Sequence, residues 1–424
     1  MTVPHVVILG GGFAGLSAAK ALRRAPVRIT LIDRTNHHLF QPLLYQVATA
    51  GLSPSDITVP IRWVLRAQRN ATVRLGEVTG IDAAARHVQL AEAPSPVAYD
   101  YLIVATGSRH AYFGHDAWEP LAPGLKSLED ALEIRRRFLL ALERAEHAAN
   151  PAERDALMTF VIVGGGPTGV ELAGTMVEIA RRAMPGDFRN IDTHATRIVL
   201  LEGGPRLLSA FPPPVSASAR RDLERLGVEV RTGAVVTDVT ADHVTVADRP
   251  IATRTVFWAA GNQASPLGAA LGAPLDRSGR VLVAPDLSVP AHPEVFVVGD
   301  LAAVKRFGDS WVPGVAPAAN QEGAHAARSV IRRVQGAPTR PFRYLNKGDL
   351  ATIGRNHAVA VFGHFRFRGI LAWLLWVFVH IMYLVGFRNR VIVLFQWAWA
   401  WFTYQRGVRV ITGRDAASAS RVRS

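Results

Sequence analysis

VVILGGGFAGLSAA (residues 6–19) recurs 154 residues later as FVIVGGGPTGVELAG (160–174). Each copy is an apolar run, a G-x-G-x-x-G turn and a helix-like stretch, with Gly10, Gly12 and Gly15 in the first and Gly164, Gly166 and Gly169 in the second. The first glycine permits a tight strand-to-helix turn, the second lets the backbone approach a pyrophosphate, and the third allows close helix–strand packing. The helix start then offers unpaired N–H groups to the anion. One such match is weak evidence. Two in register predict two dinucleotides on one chain, a flavin and a nicotinamide that exchange electrons.

The duplication extends beyond the glycines. Strand 28–32 ends on Asp33, 23 positions after Gly10, where a carboxylate is expected to meet adenosine ribose hydroxyls. Residues 72–104 alternate in strand fashion and end in YLIVATG (101–107); residues 228–261 repeat that layout and end in TVFWAAG (255–261). The second acidic residue is Glu202, 38 positions after Gly164 because residues 182–195 intrude. A carboxylate there accepts from a ribose 2′-OH and repels a 2′-phosphate, so NADH is expected over NADPH, although Arg206 nearby suits a phosphate. The strand EVFVVGD (294–300) returns to the first unit and ends on Gly299-Asp300, and residues 313–331 begin as a Pro-rich loop and continue as a helix. The expected fold is α/β: two Rossmann-like dinucleotide-binding domains, the first discontinuous, plus a C-terminal membrane-associating helical segment. The boundaries read as 1–113 with 285–335 for FAD, 114–284 for NADH, and 336–424 for membrane association and access of the electron acceptor.

The 424 residues include no cysteine. That excludes disulfides, thiolate metal sites, iron–sulfur clusters and the redox-active cysteine pair of dithiol-disulfide reductases. No secretory leader precedes the first strand, so a cytoplasmic catalytic body is expected. His37-His38 reads as a loop pair near the flavin, and no metal site is expected.

The net charge of +14 is concentrated at the C-terminus, where residues 340–424 hold 13 Lys or Arg against Asp349 and Asp415. The same stretch carries Trp373, Trp376, Trp397, Trp399 and Trp401, five of the nine tryptophans. Basic, Trp-rich and apolar sequence describes a surface that meets anionic lipid. Nucleic acid is not expected, because Leu, Val and Ile fill the gaps between the aromatics. Residues 369–387 contain one acidic or basic group, His380, and residues 391–404 add a second apolar run. A span needs about 20 apolar residues. The favoured reading is a hairpin lying in one leaflet, with a single span near 369–387 as the alternative.

With these residues in hand, the chain resembles the type II NADH dehydrogenases, the non-proton-pumping NADH:quinone oxidoreductases. The likeness rests on HLFQPLLYQVA (38–48), both fingerprints, VVGD (297–300), the segment 314–323, KGDLATIG (347–354), and the tail from FRNR (387–390) to QRG (405–407). It implies non-covalent FAD, NADH as co-substrate, hydride passing from nicotinamide to flavin, and two electrons passing on to a membrane quinone. Nucleotide contacts are then expected from Gly10, Gly12, Phe13, Ala14, Gly15, Asp33, Arg34, Gln41, Thr106, Gly107, Gly299, Asp300 and Ala316, and from Gly164, Gly166, Pro167, Thr168, Gly169, Glu202, Ala260 and Gly261. Glu171 stands where the family's acidic residue meets the nicotinamide, and Gln321 takes a catalytic role at the quinone. The quinone set is Tyr45, Gln46, Pro317, Asn320, Gln321 and Lys347, with Pro317 standing where the family usually has Gln. The implied place is the cytoplasmic side of the cell's inner membrane, peripheral or monotopic, and a homodimer is compatible with the chain. The competing readings are a reductase of a small electron-carrier protein and a redox-sensing NADH-binding flavoprotein.

Overall fold

The computed structural model describes residues 3–93, 95–306, 310–403 and 408–412. They form two compact units. The first comprises residues up to Leu39, Thr58–Arg109 and Asn262–Lys347; the second comprises Phe40–Ile57, His110–Gly261 and residues from Gly348 onward.

Apolar runs with no polar alternation should sit in a parallel sheet buried on both faces, and each unit contains one. In the first, strands run in the order Ser288–Val289, His292–Val297, Tyr101–Val104, His5–Leu9, Arg28–Asp33, Ala71–Leu75. All neighbours are parallel except the short edge strand, and Leu9 is flanked by Ile32 and Val104. Val6, Val7, Ile8 and Leu9 are fully buried. In the second unit the order is Val228–Thr232, Arg197–Glu202, Thr159–Val163, Thr255–Trp258, all parallel. The fingerprint strand lies inside both sheets, with its acid-ending strand on one side and its Gly-ending return strand on the other. Each unit also carries a three-stranded antiparallel meander, Val78–Asp82 to Val97–Ala98 in the first and Val236–Val239 to Arg249–Ala252 in the second. The repeat is therefore one of topology as well as of sequence.

Residues from Gly348 onward are built into the second unit and are not a separable tail. Strands Asp349–Gly354, His357–Phe362 and Phe365–Arg368 form an antiparallel sheet. The first of them runs so close to the helix Pro167–Glu178 that a Cβ on Gly174 would fall 1.6 Å from the Ile353 carbonyl oxygen. Only glycine fits that contact.

The apolar stretch beyond Arg368 is two helices, Gly369–Tyr383 and Phe387–Thr403, separated at Gly386, whose φ is +92°. No helix among the described residues is long and apolar enough to cross a membrane. The two helices instead present outward stripes: Leu371, Leu374, Phe378 and Met382 on one, Phe387, Val391, Leu394, Phe395, Trp399 and Phe402 on the other, all exposed. Their spacing of three and four residues is that of one helical face. The QRG motif (405–407), Arg414, Asp415, Arg421 and Arg423 lie outside the described residues.

Candidate functional site

The two glycine turns are near-copies in geometry. Gly10 has φ +101° and Gly164 φ +110°, backbone shapes that side-chain-bearing residues rarely adopt. Each first glycine donates its N–H to the neighbouring strand, Gly10 to the Ile32 carbonyl at 2.8 Å and Gly164 to the Leu201 carbonyl at 2.7 Å. A Cβ on Gly15 would lie 1.8 Å from the Gly10 oxygen, and one on Gly169 the same distance from the Gly164 oxygen. A Cβ on Gly12 or Gly166, by contrast, would meet nothing within 4 Å. Each turn is therefore closed on its packing side and open at its second glycine. Beyond the turns, Phe13 and Pro167 open the two helices.

The two acids serve these turns directly, a duty the sequence reading did not foresee. Asp33 Oδ2 accepts from the Gly11 N–H at 2.5 Å, and its Oδ1 accepts from the Thr35 N–H at 2.6 Å and hydroxyl at 2.8 Å. Glu202 repeats this, accepting from Gly165 N at 2.6 Å and Gly204 N at 2.7 Å. The signal was present in the sequence, since the middle glycine of each GGG has an N–H that must bond to something. His38 supports the first turn from behind. It is buried, its Nδ1 lies 3.0 Å from the Gly11 carbonyl, and burial pushes its pKa down to about 4, so the ring is neutral. No group of acidic or histidine side chains capable of holding a metal occurs among the described residues.

The rest of the first cradle comes from the return strands. Gly107 has φ +67° and open space at its Cβ, and the buried Thr106 hydroxyl beside it has no partner among the described residues. Asp300 is oriented by the Ser108 hydroxyl at 2.8 Å, and the Gly299 N–H is held by Glu322 at 2.6 Å. Burial, reinforced by Asp300, pushes the Glu322 carboxyl up to about 8. Ala316 begins the helix Ala316–Val334, and Gly323 of that helix meets Ala14 so closely that a Cβ would sit 2.0 Å from the Ala14 oxygen. A bare open turn, an unsatisfied hydroxyl and a fixed carboxylate are what FAD's pyrophosphate and polyol chain require. Arg34 is exposed. Gln41 belongs to the second unit, where its amide donates to the Lys126 carbonyl at 3.0 Å.

In the second unit, Thr168 and Gly169 follow Pro167 on the cradle helix, and Ala260 and Gly261 follow the strand Thr255–Trp258. Glu171 lies one turn into the helix. Burial pushes its carboxyl up to about 8, partly offset by the Thr352 backbone N–H. A carboxyl raised from 4.5 to about 8 contributes most stability when neutral, below its unfolded value, and loses that contribution as pH rises through 8. Glu171→Gln should therefore melt with the parent near about pH 5 and several degrees above it near about pH 9. Thermal scans at both values check this; no gain at the higher pH would contradict it. Arg206 is committed elsewhere: one terminal nitrogen donates to the Phe211 carbonyl at 2.6 Å and the Ser216 hydroxyl at 3.0 Å, the other to the Ser209 carbonyl at 2.6 Å.

The quinone set divides between the units. Tyr45 and Gln46 lie in the second unit; Pro317, Asn320, Gln321 and Lys347 lie in the first. Asn320 accepts from the Ser17 hydroxyl at 2.7 Å, and Lys347 is exposed. Gln321 donates to the Pro317 and Leu345 carbonyls at 3.1 and 3.0 Å and accepts from the Leu345 N–H at 3.0 Å.

A family model described as pyridine nucleotide-disulphide oxidoreductase matches residues 4–323, and one described as NDH2 C-terminal domain matches residues 346–404. Two type II NADH:quinone oxidoreductases of Mycobacterium tuberculosis are similar to this chain. NdhA is 46% identical over 97% of the chain and 90% of its own length; Ndh is 45% identical over 99% and 92%. The chain belongs to the type II NADH:quinone oxidoreductases. The fold agrees: NDH2 from Plasmodium falciparum in complex with NADH superposes with a TM-score of 0.87 at 19% identity, over 97% of this chain and all of that one. A sulfide:quinone oxidoreductase from Aquifex aeolicus is also similar, with a TM-score of 0.74 at 18% identity over 92% of each chain. Within this family the absence of cysteine removes any dithiol relay.

Proposed function

We infer that this chain is an FAD-dependent, non-proton-pumping NADH:quinone oxidoreductase, and that its two fingerprint domains divide the nucleotides as the sequence suggests, FAD in the first and NADH in the second. The observation that carries this reading is the pair of superimposable glycine turns, each open at its second glycine and each tied to its own acid, in a chain of this family. When bound, FAD supplies the redox step, taking a hydride from NADH and giving two electrons to a quinone.

The protein's residues position and stabilise. Gly12 and Gly166 leave room for the pyrophosphates, whose charge the two helix starts favour. Asp33 and Glu202 hold the turns rigid and keep lone pairs for ribose hydroxyls. Asp300, fixed by Ser108, serves the flavin's polyol chain, and the start of the helix Ala316–Val334 favours negative charge developing nearby. Glu171 orients the nicotinamide, and as a neutral acid below about pH 8 it holds a proton that quinol formation consumes.

Glu202 also sets the nucleotide preference, because both terminal nitrogens of Arg206 are engaged within the protein. Gly203→Arg fits, since a Cβ there has nothing nearer than 3.6 Å. Glu202→Gln with Gly203→Arg should raise the KM for NADH about tenfold or more and bring NADPH turnover up toward it, a charge-assisted hydrogen bond being worth about 1.5–3 kcal/mol. Equal use of NADPH by the parent would contradict the assignment.

The outward stripes of the two C-terminal helices rest on lipid, with the exposed Trp399 at headgroup depth and Arg366, Arg368, Arg388 and Arg390 reaching phosphates. The attachment is peripheral, on the cytoplasmic face, and quinone enters from that side. Added salt should weaken binding to anionic vesicles without abolishing it, since charge is screened and apolar burial is not. Sedimentation at low and high salt tests this. Steady NADH oxidation with quinone, set against none with a small iron–sulfur carrier protein, tests the activity itself.

A further inference from the structure

We propose that Phe113 of the second unit packs against the nicotinamide ring of bound NADH and positions that end of the dinucleotide. This rests on the reading of the second unit as the NADH domain and adds a positioning residue to it. Among the described residues 110–261, only two large apolar side chains are exposed, Phe113 at 70% and Val235 at 62%. They stand at opposite ends of one cradle.

The sheet order fixes which end is which. A dinucleotide crosses the carboxyl ends of the strands at the glycine turn, with its pyrophosphate at the helix start. Glu202 closes the strand on one side of that turn, so the adenosine ribose belongs there. Val235 marks this end: a Cβ on Gly203 would lie 3.6 Å from its Cγ2, and the adjacent Ala234 N–H donates to the Glu202 carbonyl at 2.9 Å. The strand Thr255–Trp258 lies on the other side. The residues after it adjoin the turn, since a Cβ on Gly164 would fall 2.6 Å from the Ala260 nitrogen. A nucleotide with adenosine at Glu202 therefore carries its nicotinamide over this second side. Gly261 is there, and a Cβ on it would meet the Phe113 ring at 2.5 Å.

Phe113 is held in this place at a cost. Its φ is +54°, a left-handed shape that a bulky side chain rarely adopts. The residues before it are anchored from below. Tyr112 is buried and its hydroxyl donates to the Ala122 carbonyl at 2.8 Å, while the Trp258 indole donates to the Ala111 carbonyl at 2.9 Å. The Tyr112 and Trp258 rings pack with centroids 5.2 Å apart, and Phe113 stands outside them, 6.5 Å from Trp258. This buried pair fixes the backbone that turns Phe113 outward. A ring so exposed adds little to the core, and local strain maintained by the surrounding structure is a mark of ligand contacts. Nicotinamide is a flat ring with apolar faces, and a phenyl ring is a fitting neighbour for it.

The test uses the full-length, FAD-loaded protein and calorimetric titration with NAD⁺ and with ADP-ribose, which differ by the nicotinamide ring. Phe113→Ala should weaken NAD⁺ binding and raise the KM for NADH about tenfold, corresponding to about 1.4 kcal/mol, while ADP-ribose binds as it does to the parent. Phe113→Tyr keeps the ring and should restore parent behaviour with both ligands. Val235→Ser, at the adenosine end, should weaken NAD⁺ and ADP-ribose by the same factor. Unchanged NAD⁺ affinity and NADH KM in Phe113→Ala would overturn the contact. Equal weakening of NAD⁺ and ADP-ribose in Phe113→Ala would also overturn it, making Phe113 a support of the cradle as a whole. A parent that binds neither ligand would instead overturn the reading of the second unit as the NADH domain.

Discussion

Gly15→Val should give a protein that purifies without flavin. Helix propensity alone favours the change, since glycine in a helix interior costs about 1 kcal/mol relative to alanine. Sterics decide otherwise, because a Cβ there would fall 1.8 Å from the Gly10 carbonyl oxygen. The turn must open by more than an ångström, pulling Gly11 from Asp33 and Gly10 from Ile32. Overpacking in a tight core costs about 1–3 kcal/mol, and here the contact is with backbone that cannot rotate away. Acid extraction of the parent should release FAD, and the variant should release little. Gly12→Ala, which meets nothing within 4 Å, should keep its fold and lose cofactor affinity instead. A yellow Gly15→Val protein would mean the turn is not the cradle.

Replacing Phe395, Trp399 and Phe402 by serine should free the protein from lipid. They share one helical face and are 68%, 53% and 76% exposed. Burying each such side chain is worth about 1.5–3 kcal/mol, so losing three should lower vesicle partitioning by roughly a thousandfold or more. Little of the fold depends on them, so flavin content and NADH-driven bleaching should match the parent. Sedimentation with vesicles of mixed neutral and anionic lipid measures the first effect. Retained binding would place the lipid contact elsewhere.

Much of this architecture is legible in the sequence because its strongest signals are local. Two G-x-G-x-x-G turns after apolar runs specify strand, turn and helix together, and the acids at strand ends locate the neighbouring strands. The topology of both sheets follows from those elements. What was not legible depends on tertiary contact. The motif 38–48 reads as one continuous stretch, yet the chain passes from the first unit to the second at Phe40. Residues 349–368 fall in the sequence reading within the membrane-associating region 336–424, yet Gly174, an otherwise unexplained glycine inside a helix, is the mark of their close packing on the second unit. Gly386, by contrast, lies at the break between the two apolar runs that the sequence reads as a hairpin. At the candidate site, Gln321 was assigned from its place in a motif, whereas its bonding to Leu345 and Pro317 is visible only in three dimensions.

The most direct test of the account is an anaerobic two-step titration of the FAD-loaded protein. One equivalent of NADH should bleach the visible flavin absorbance. A short-tailed quinone added next should restore it, with quinol formed in equal amount to the NADH consumed. If the absorbance stays bleached with quinone and returns only on adding a small iron–sulfur carrier protein, the chain is a reductase of that carrier and the quinone account fails.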